Sequence, residues 1–298
     1  MNDAGCSYSI SSYTDSSVPK AIMPSRPKRS NKGDFGRVLC VCGSYGMAGA
    51  AYLCAKAAYR SGAGLVEIFT HESNRTALQT LIPEAIITAY EDYTLSLLLS
   101  CIERSTCVVV GCGLGASAQS RTIISDLLHN VDAKAKSIVL DADALNLIAR
   151  NPSLLKHARG CVVTPHAMEM SRLTSMDVTE ILNNPLSVAF EYAKKHQLIC
   201  VLKDHNSVVS DGSERLYVNN TGNSGMATGG SGDVLAGILA GLLSQKKHSS
   251  ATVFETVTLG VYLHGFCGDI ASEKLSEYSV MAGDIIDAIP FAIKEICK

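Results

Sequence analysis

The feature that most constrains this chain is an alternation. From Gly36 onward, short apolar runs at residues 37–42, 65–70, 107–110, 137–140, 160–164, 199–202 and 207–210 alternate with helical stretches. Several of the runs are β-branched, free of charge and four to six residues long, as expected of strands buried on both faces of a sheet. Between them, residues 50–60 are rich in Ala. In 120–130, Ile123, Ile124, Leu127 and Leu128 share one helical face. Val234, Leu235, Ile238, Leu239, Leu242 and Leu243 repeat at i, i+1, i+4, i+5, i+8 and i+9, a strong amphipathic helix. Strands alternating with helices predict βαβ units, hence an α/β fold with a mostly parallel central sheet covered by helices on both faces. No Pro- or Ser-rich linker and no internal repeat follows residue 36, so one domain over 31–298 is expected. Residues 1–30, polar and Ser-rich, read as a flexible tail.

Composition narrows the function. A net charge of −2 gives no electrostatic reason to hold a nucleic-acid backbone. No apolar run approaches the ~20 residues of a membrane-spanning helix. The 11 cysteines are scattered through apolar runs and form no Cys-x-x-Cys pair, so they read as buried thiols rather than zinc or redox motifs. With no secretory signal visible, a reducing cytoplasm is the expected compartment.

The most informative segment is 219–233, with five glycines between 222 and 232, running straight into the amphipathic helix. Such a turn offers unpaired backbone amides and the positive end of a helix dipole, an anion site suited to phosphate. Gly229, Gly230 and Gly232 would let the ligand approach the backbone. Asp233 opens the helix. Its plain role is dipole stabilisation or capping, worth ~1 kcal/mol. An acid beside a phosphate site makes better sense as a base that deprotonates a hydroxyl attacking phosphorus. The pattern is neither a Walker loop nor a dinucleotide fingerprint.

The segment 225–237, Gly-Met-Ala-Thr-Gly-Gly-Ser-Gly-Asp-Val-Leu-Ala-Gly, resembles the signature of the ribokinase-like NAD(P)H-hydrate dehydratases. The resemblance extends from about Lys32 to Ile296. It includes Lys32–Val38, Gly43-Ser44, Met47–Ala51, Arg60–Gly64, Pro83-Glu84-Ala85, Gly111–Gly115, Leu140–Asn146, Thr164-Pro165-His166, Tyr262–Gly265 and Glu277-Tyr278-Ser279. It implies a three-layer sandwich of ribokinase type that repairs hydrated NADH or NADPH. The co-substrate would be ADP in bacterial-type members or ATP in eukaryotic ones, with Mg²⁺ as cofactor. It also implies a homo-oligomer, a tetramer. The epimerase domain fused to some relatives is not expected before residue 36.

By that resemblance, Ala50, Gly113 and His166 contact the hydrated coenzyme along with Asp233, and Gly230 and Gly232 serve catalysis with it. Lys203, Asp204, His205, Asn206, Ser207 and Gly232 contact the nucleotide. Asp204 stands where the family has Gly, and Ala167-Met168 replace its Pro-Gly; a plain hairpin turn at 203–207 is the alternative. Glu169 could hold a metal-bound water or be simply solvated. Asp141 and Asp143 could orient loops or reach Mg²⁺ through water, Asn146 could touch substrate, and His264 reads as structural. Two other functions share these residues: a ribokinase-like kinase of a hydroxymethylpyrimidine or thiazole alcohol, and a non-catalytic nucleotide sensor.

Overall fold

In chain order the strands are β1 (Ser9–Ser11), β2 (Arg37–Val41), β3 (Leu65–His71), β4 (Ile86–Tyr90), β5 (Cys107–Val110), β6 (Ser137–Leu140), β7 (Val162–Val163), β8 (Ile199–Leu202), β9 (Val208–Ser210) and β10 (Arg215–Val218). The helices are α1 (Ser17–Ile22), α2 (Ala48–Arg60), α3 (Arg75–Leu81), α4 (Leu95–Arg104), α5 (Ala118–Asn130), α6 (Asp143–Arg150), α7 (Ala167–Thr174), α8 (Val178–Asn183), α9 (Pro185–His196), α10 (Ser231–Leu243), α11 (Val253–Leu275) and α12 (Ala282–Ile296). The computed structural model describes residues 8–298; the part of the expected tail at 1–7 lies outside them.

The strands form one sheet in the order β1-β10-β9-β8-β7-β6-β5-β2-β3-β4. Pairing is parallel except where β9 runs antiparallel to β8 and β10. Strand alternation divides the core. Val38, Cys40, Cys107, Val109, Val139 and Val201 face a layer built from α2, α10, α11 and α12. Leu39, Val41, Val108, Val110, Leu140 and Leu202 face a layer built from α4, α5, α6 and α9. The three-layer α/β sandwich expected from the alternating runs is therefore present. Its central strands are apolar on both faces because both faces are covered.

The α2 and α10 backbones approach closely. A Cβ on Gly237 would lie 2.2 Å from the Cys54 carbonyl oxygen, and one on Gly241 2.5 Å from that of Ala58. This explains the small residues of both helices.

All seven apolar runs contain strands. Three further strands, β1, β4 and β10, were not expected, and two of these, β1 and β4, form the sheet's edges. There one neighbour suffices, and polar or exposed residues such as Ser9, Ser11 and Ile86 are tolerated. The segment read as a flexible polar tail differs from that expectation from Ser9 on. β1 pairs in parallel with β10, and Tyr13 shares a 2.5 Å hydrogen bond with Thr258 and packs on Tyr217. Aromatic burial and ladder pairing outweigh the segment's polar composition. Among the described residues no helix is long and apolar enough to cross a membrane.

Candidate active site

The carboxyl ends of β2, β5, β6, β7 and β8 meet the amino end of α10, the position at which open α/β sheets bind ligands. The turns after β2 and β5 are tied by the Gly43 amide donating to Cys112 O (2.9 Å) and the Ser44 amide to Gly113 O (2.7 Å). Gly113 has φ +60°, and a Cβ there would stand 2.7 Å from that of Ala50. The two residues expected to touch the same substrate are thus neighbours.

β6 delivers Asp141, 1% exposed. Its Oδ1 accepts from Thr164 Oγ1 at 2.6 Å and from Lys203 Nζ at 2.9 Å. Lys203 follows β8 and also lies 3.8 Å from Glu169 Oε2. Burial works against the Lys203 ammonium, but Asp141 and Glu169 outweigh it and hold its pKa above the ordinary lysine value. Between Asp141 and Asp143, Ala142 adopts φ 48°, ψ −114°, a backbone conformation that costs a non-Gly residue ~1–3 kcal/mol. The turn aims the two carboxylates apart, and Asp143 Oδ2 accepts from the Gly115 amide at 2.7 Å.

Asp233 is the third residue of α10. Facing atoms of Asp233, Asp141 and Cys112 all lie within 4.8 Å of one another. Burial, then the charge of Asp141, pushes the Asp233 carboxyl up to about 6. The amides of Ser231, Gly232 and Asp233 belong to the first turn and have no intrahelical acceptor, the Ser231 amide donating instead to Thr228 O at 3.4 Å. A Cβ on Gly232 would sit 3.5 Å from Lys203 Nζ, so the open space over the helix end lies beside a cation. Gly230, at the helix N-cap, has φ +91°, and a Cβ there would meet Leu53 Cδ1 at 2.4 Å. The turn therefore requires glycine at 230 for its backbone as well as for any ligand.

His166 caps α7. Its Nδ1 accepts from the Met168 and Glu169 amides, while Glu169 Oε2 accepts from the His166 amide at 2.9 Å. The altered Ala167-Met168 pair is thus absorbed into a regular helix start. Burial first, then Lys203 and Arg172, keep the His166 pKa below the ordinary value, leaving a neutral imidazole with its exposed edge toward solvent. Burial raises the pKa of Glu169.

The 203–207 turn divides. Lys203 reaches the carboxylates, whereas Asp204, His205 and Asn206 are exposed and Ser207 Oγ donates to Asp204 O at 3.3 Å. Asn146 accepts from Arg172 at 2.7 Å. His264 Nε2 lies 3.3 Å from Ser231 Oγ; burial drops its pKa to about 4, so it is neutral and holds the first residue of α10. Asp141, expected to orient loops or reach Mg²⁺ through water, is the hub of the cluster. One partner escaped sequence reasoning: Cys112, whose sulfur lies 3.9 Å from Asp141 Oδ2 and which nothing local marked.

Helices on both faces of this sheet, with a Gly-rich turn leading to an acid in the first turn of a helix, define a ribokinase-like α/β protein. Solved structures agree. A ribokinase-like superfamily protein from Enterococcus faecalis V583 superposes with TM-score 0.87 at 31% identity, covering 96% of each chain. The ADP/ATP-dependent NAD(P)H-hydrate dehydratase from Bacillus subtilis, co-crystallised with ATP/Mg²⁺, gives 0.79 at 26% identity over 95% of this chain and 97% of that one. The family model described as NAD(P)H-hydrate dehydratase matches residues 38–291, and the chain belongs to that family. A bifunctional NAD(P)H-hydrate repair enzyme from Moorella thermoacetica is 36% identical over 93% of this chain, which spans about half (53%) of that relative. The ADP-dependent (S)-NAD(P)H-hydrate dehydratase of Neisseria meningitidis is 34% identical over 93% of this chain and 91% of its own length.

Proposed function

We propose that this chain is an ADP-dependent dehydratase that returns the S form of hydrated NADH and NADPH to the reduced coenzymes, releasing AMP and phosphate. The observation that carries the reading is Asp233, a carboxylate pushed up to about 6 in the first turn of α10, beside amides that lack intrahelical acceptors. A base of that strength is mostly ionised at neutral pH and still able to take a proton. Asp233 accepts the proton of the hydrate hydroxyl as its oxygen attacks the terminal phosphorus of ADP, and AMP departs. The amides of 229–232 stabilise charge growing on the transferred group. Phosphate then leaves the ring, pushed by the enamine nitrogen, and loss of a ring proton restores the dihydronicotinamide.

Gly113, Ala50 and His166 line the coenzyme side in this reading, and Lys203 to Ser207 the nucleotide side. The donor set suits a magnesium ion carried on the nucleotide better than one caged by protein. Asp141 Oδ1 is already engaged by Lys203 and Thr164, and Cys112 offers soft sulfur. Asp143 and Glu169 would hold such an ion through its waters. Once bound, the ion would neutralise phosphate oxygens.

The test is incubation with hydrated NADH and either ADP or ATP. Return of reduced-nicotinamide absorbance in step with AMP release supports the reading, and ATP-only activity would replace the co-substrate. Accumulation of a phosphorylated pyrimidine or thiazole alcohol, with no absorbance returned from the hydrate, would make the chain a small-molecule kinase.

A further inference from the structure

Behind the Asp233 cluster lies a group of thiols that the proposed reaction does not use. Cys42 follows β2, Cys54 projects from α2, and Cys112 follows β5. Their sulfurs all lie within 4.8 Å of one another, and all three residues are 0% exposed. Cys112 belongs to both groups, since its sulfur also lies within 4.8 Å of the facing atoms of Asp141 and Asp233. We infer that Cys42, Cys54 and Cys112 form a binding site for a thiophilic divalent cation of the zinc or cadmium type, entered from the cleft past Asp233, and that its occupation shuts the active site.

The geometry suits such an ion. Tetrahedral Zn²⁺ binds sulfur at ~2.3 Å, which sets ligand sulfurs about 3.8 Å apart, so the cluster closes on a metal through sub-ångström side-chain shifts. The fourth ligand comes from the Cys112 side, where the Asp233 carboxylate lies within 4.8 Å of the sulfur. Three thiolates select soft ions over Mg²⁺, which prefers oxygen. Each thiol gives its proton to solvent as its bond to the metal forms. A dication with three thiolates carries one net negative charge; the Lys203 ammonium nearby is already paired with Asp141. Burial pushes the Cys42 thiol well above its ordinary value, and contact with Cys42, then burial, does the same for Cys112, so without metal both are neutral thiols. Metal on Cys112 draws Asp233, whose carboxylate lies within 4.8 Å of the Cys112 sulfur, into its coordination sphere and removes the proposed base.

The experiment uses chelator-treated protein carrying Cys297→Ser and Cys6→Ser, so that the exposed thiol at 297 does not compete. Cd²⁺ is titrated while thiolate-to-cadmium charge-transfer absorption, proton release and dehydratase turnover are followed. The expected result is an absorption band complete at one equivalent, with turnover lost in parallel. Cys54→Ala, and separately Cys42→Ser in case the first packs poorly against α10, should weaken Cd²⁺ by ~10²-fold or more while leaving metal-free turnover within about twofold. Absence of the band at one equivalent overturns the site, whatever the protein's activity. A band of unchanged affinity in both variants also overturns it. Inhibition that persists in both variants without the band would place the metal on the carboxylates and overturn the inference equally.

Discussion

Lys203 Nζ lies 2.9 Å from Asp141 Oδ1, and this pair sits directly behind the Asp233 carboxylate. Asp141 raises the Asp233 pKa while Lys203 lowers it, so the ion pair sets the strength of the proposed base after burial has done most of the work. The lysine that the resemblance assigned to the nucleotide thus also supports the base.

Replacing Lys203 by Met should therefore act in two ways. It leaves the buried Asp141 and Glu169 without their cation, a loss of the kind that costs ~3–5 kcal/mol, read as a fall in Tm. It should also move the acid limb of the pH–rate profile upward. Lys203→Met with Asp141→Asn should recover most of the stability. Unchanged stability and pH profile in the single variant would show the pair to be incidental.

Asp233→Asn should lower turnover by ~10²-fold or more while keeping the fold, since Asn is nearly isosteric with Asp. In the wild type, turnover should fall about tenfold per unit below pH 6 as Asp233 takes up its proton. Stability carries the opposite sign to an ordinary Asp. The folded state binds this proton more tightly than the unfolded chain, so Asp233 costs stability as pH rises from about 4 through about 6. The Asn variant should gain roughly 1–3 kcal/mol at pH 7.5 and little at pH 4, measured by denaturant titration at both values.

Gly232→Ala tests the anion space without breaking the turn. Its Cβ would meet Lys203 Nζ at 3.5 Å and Asp141 Oδ2 at 3.9 Å, ordinary contacts, so Tm should change little while nucleotide KM rises at least tenfold. Gly230→Val is a poorer probe, because at φ +91° and 2.4 Å from Leu53 it should unfold the turn as well as block a ligand. Unaltered nucleotide kinetics in Gly232→Ala would place the phosphate elsewhere.

His166→Ala removes a side chain that caps α7, costing ~1 kcal/mol, and weakens the coenzyme hydrate more than ADP. His166→Asn keeps an N-cap acceptor and should restore Tm but not hydrate affinity. Calorimetric titration of both ligands separates the two roles. Equal recovery of stability and affinity in the Asn variant would reduce His166 to a cap.

Sequence alone determined the layered fold and the end of the sheet that holds the site. Fully buried strands must be apolar on both faces, and the Gly-rich turn into 234–243 marks a helix end whatever surrounds it. These are local signals. Tertiary structure decided what the separate segments do together. Asp141, from the end of β6, and Lys203, from the end of β8, are far apart in the chain, and their pairing follows from parallel strands ending on one edge. The thiol cluster gathers Cys42, Cys54 and Cys112 from two strand ends and a helix, each indistinguishable in sequence from any small core residue. The edge strands and the docking of 9–22 were equally hidden, because a strand with one neighbour needs no apolar face. Propensity and periodicity are carried by near neighbours in sequence, whereas burial, charge pairing and pKa depend on neighbours in space.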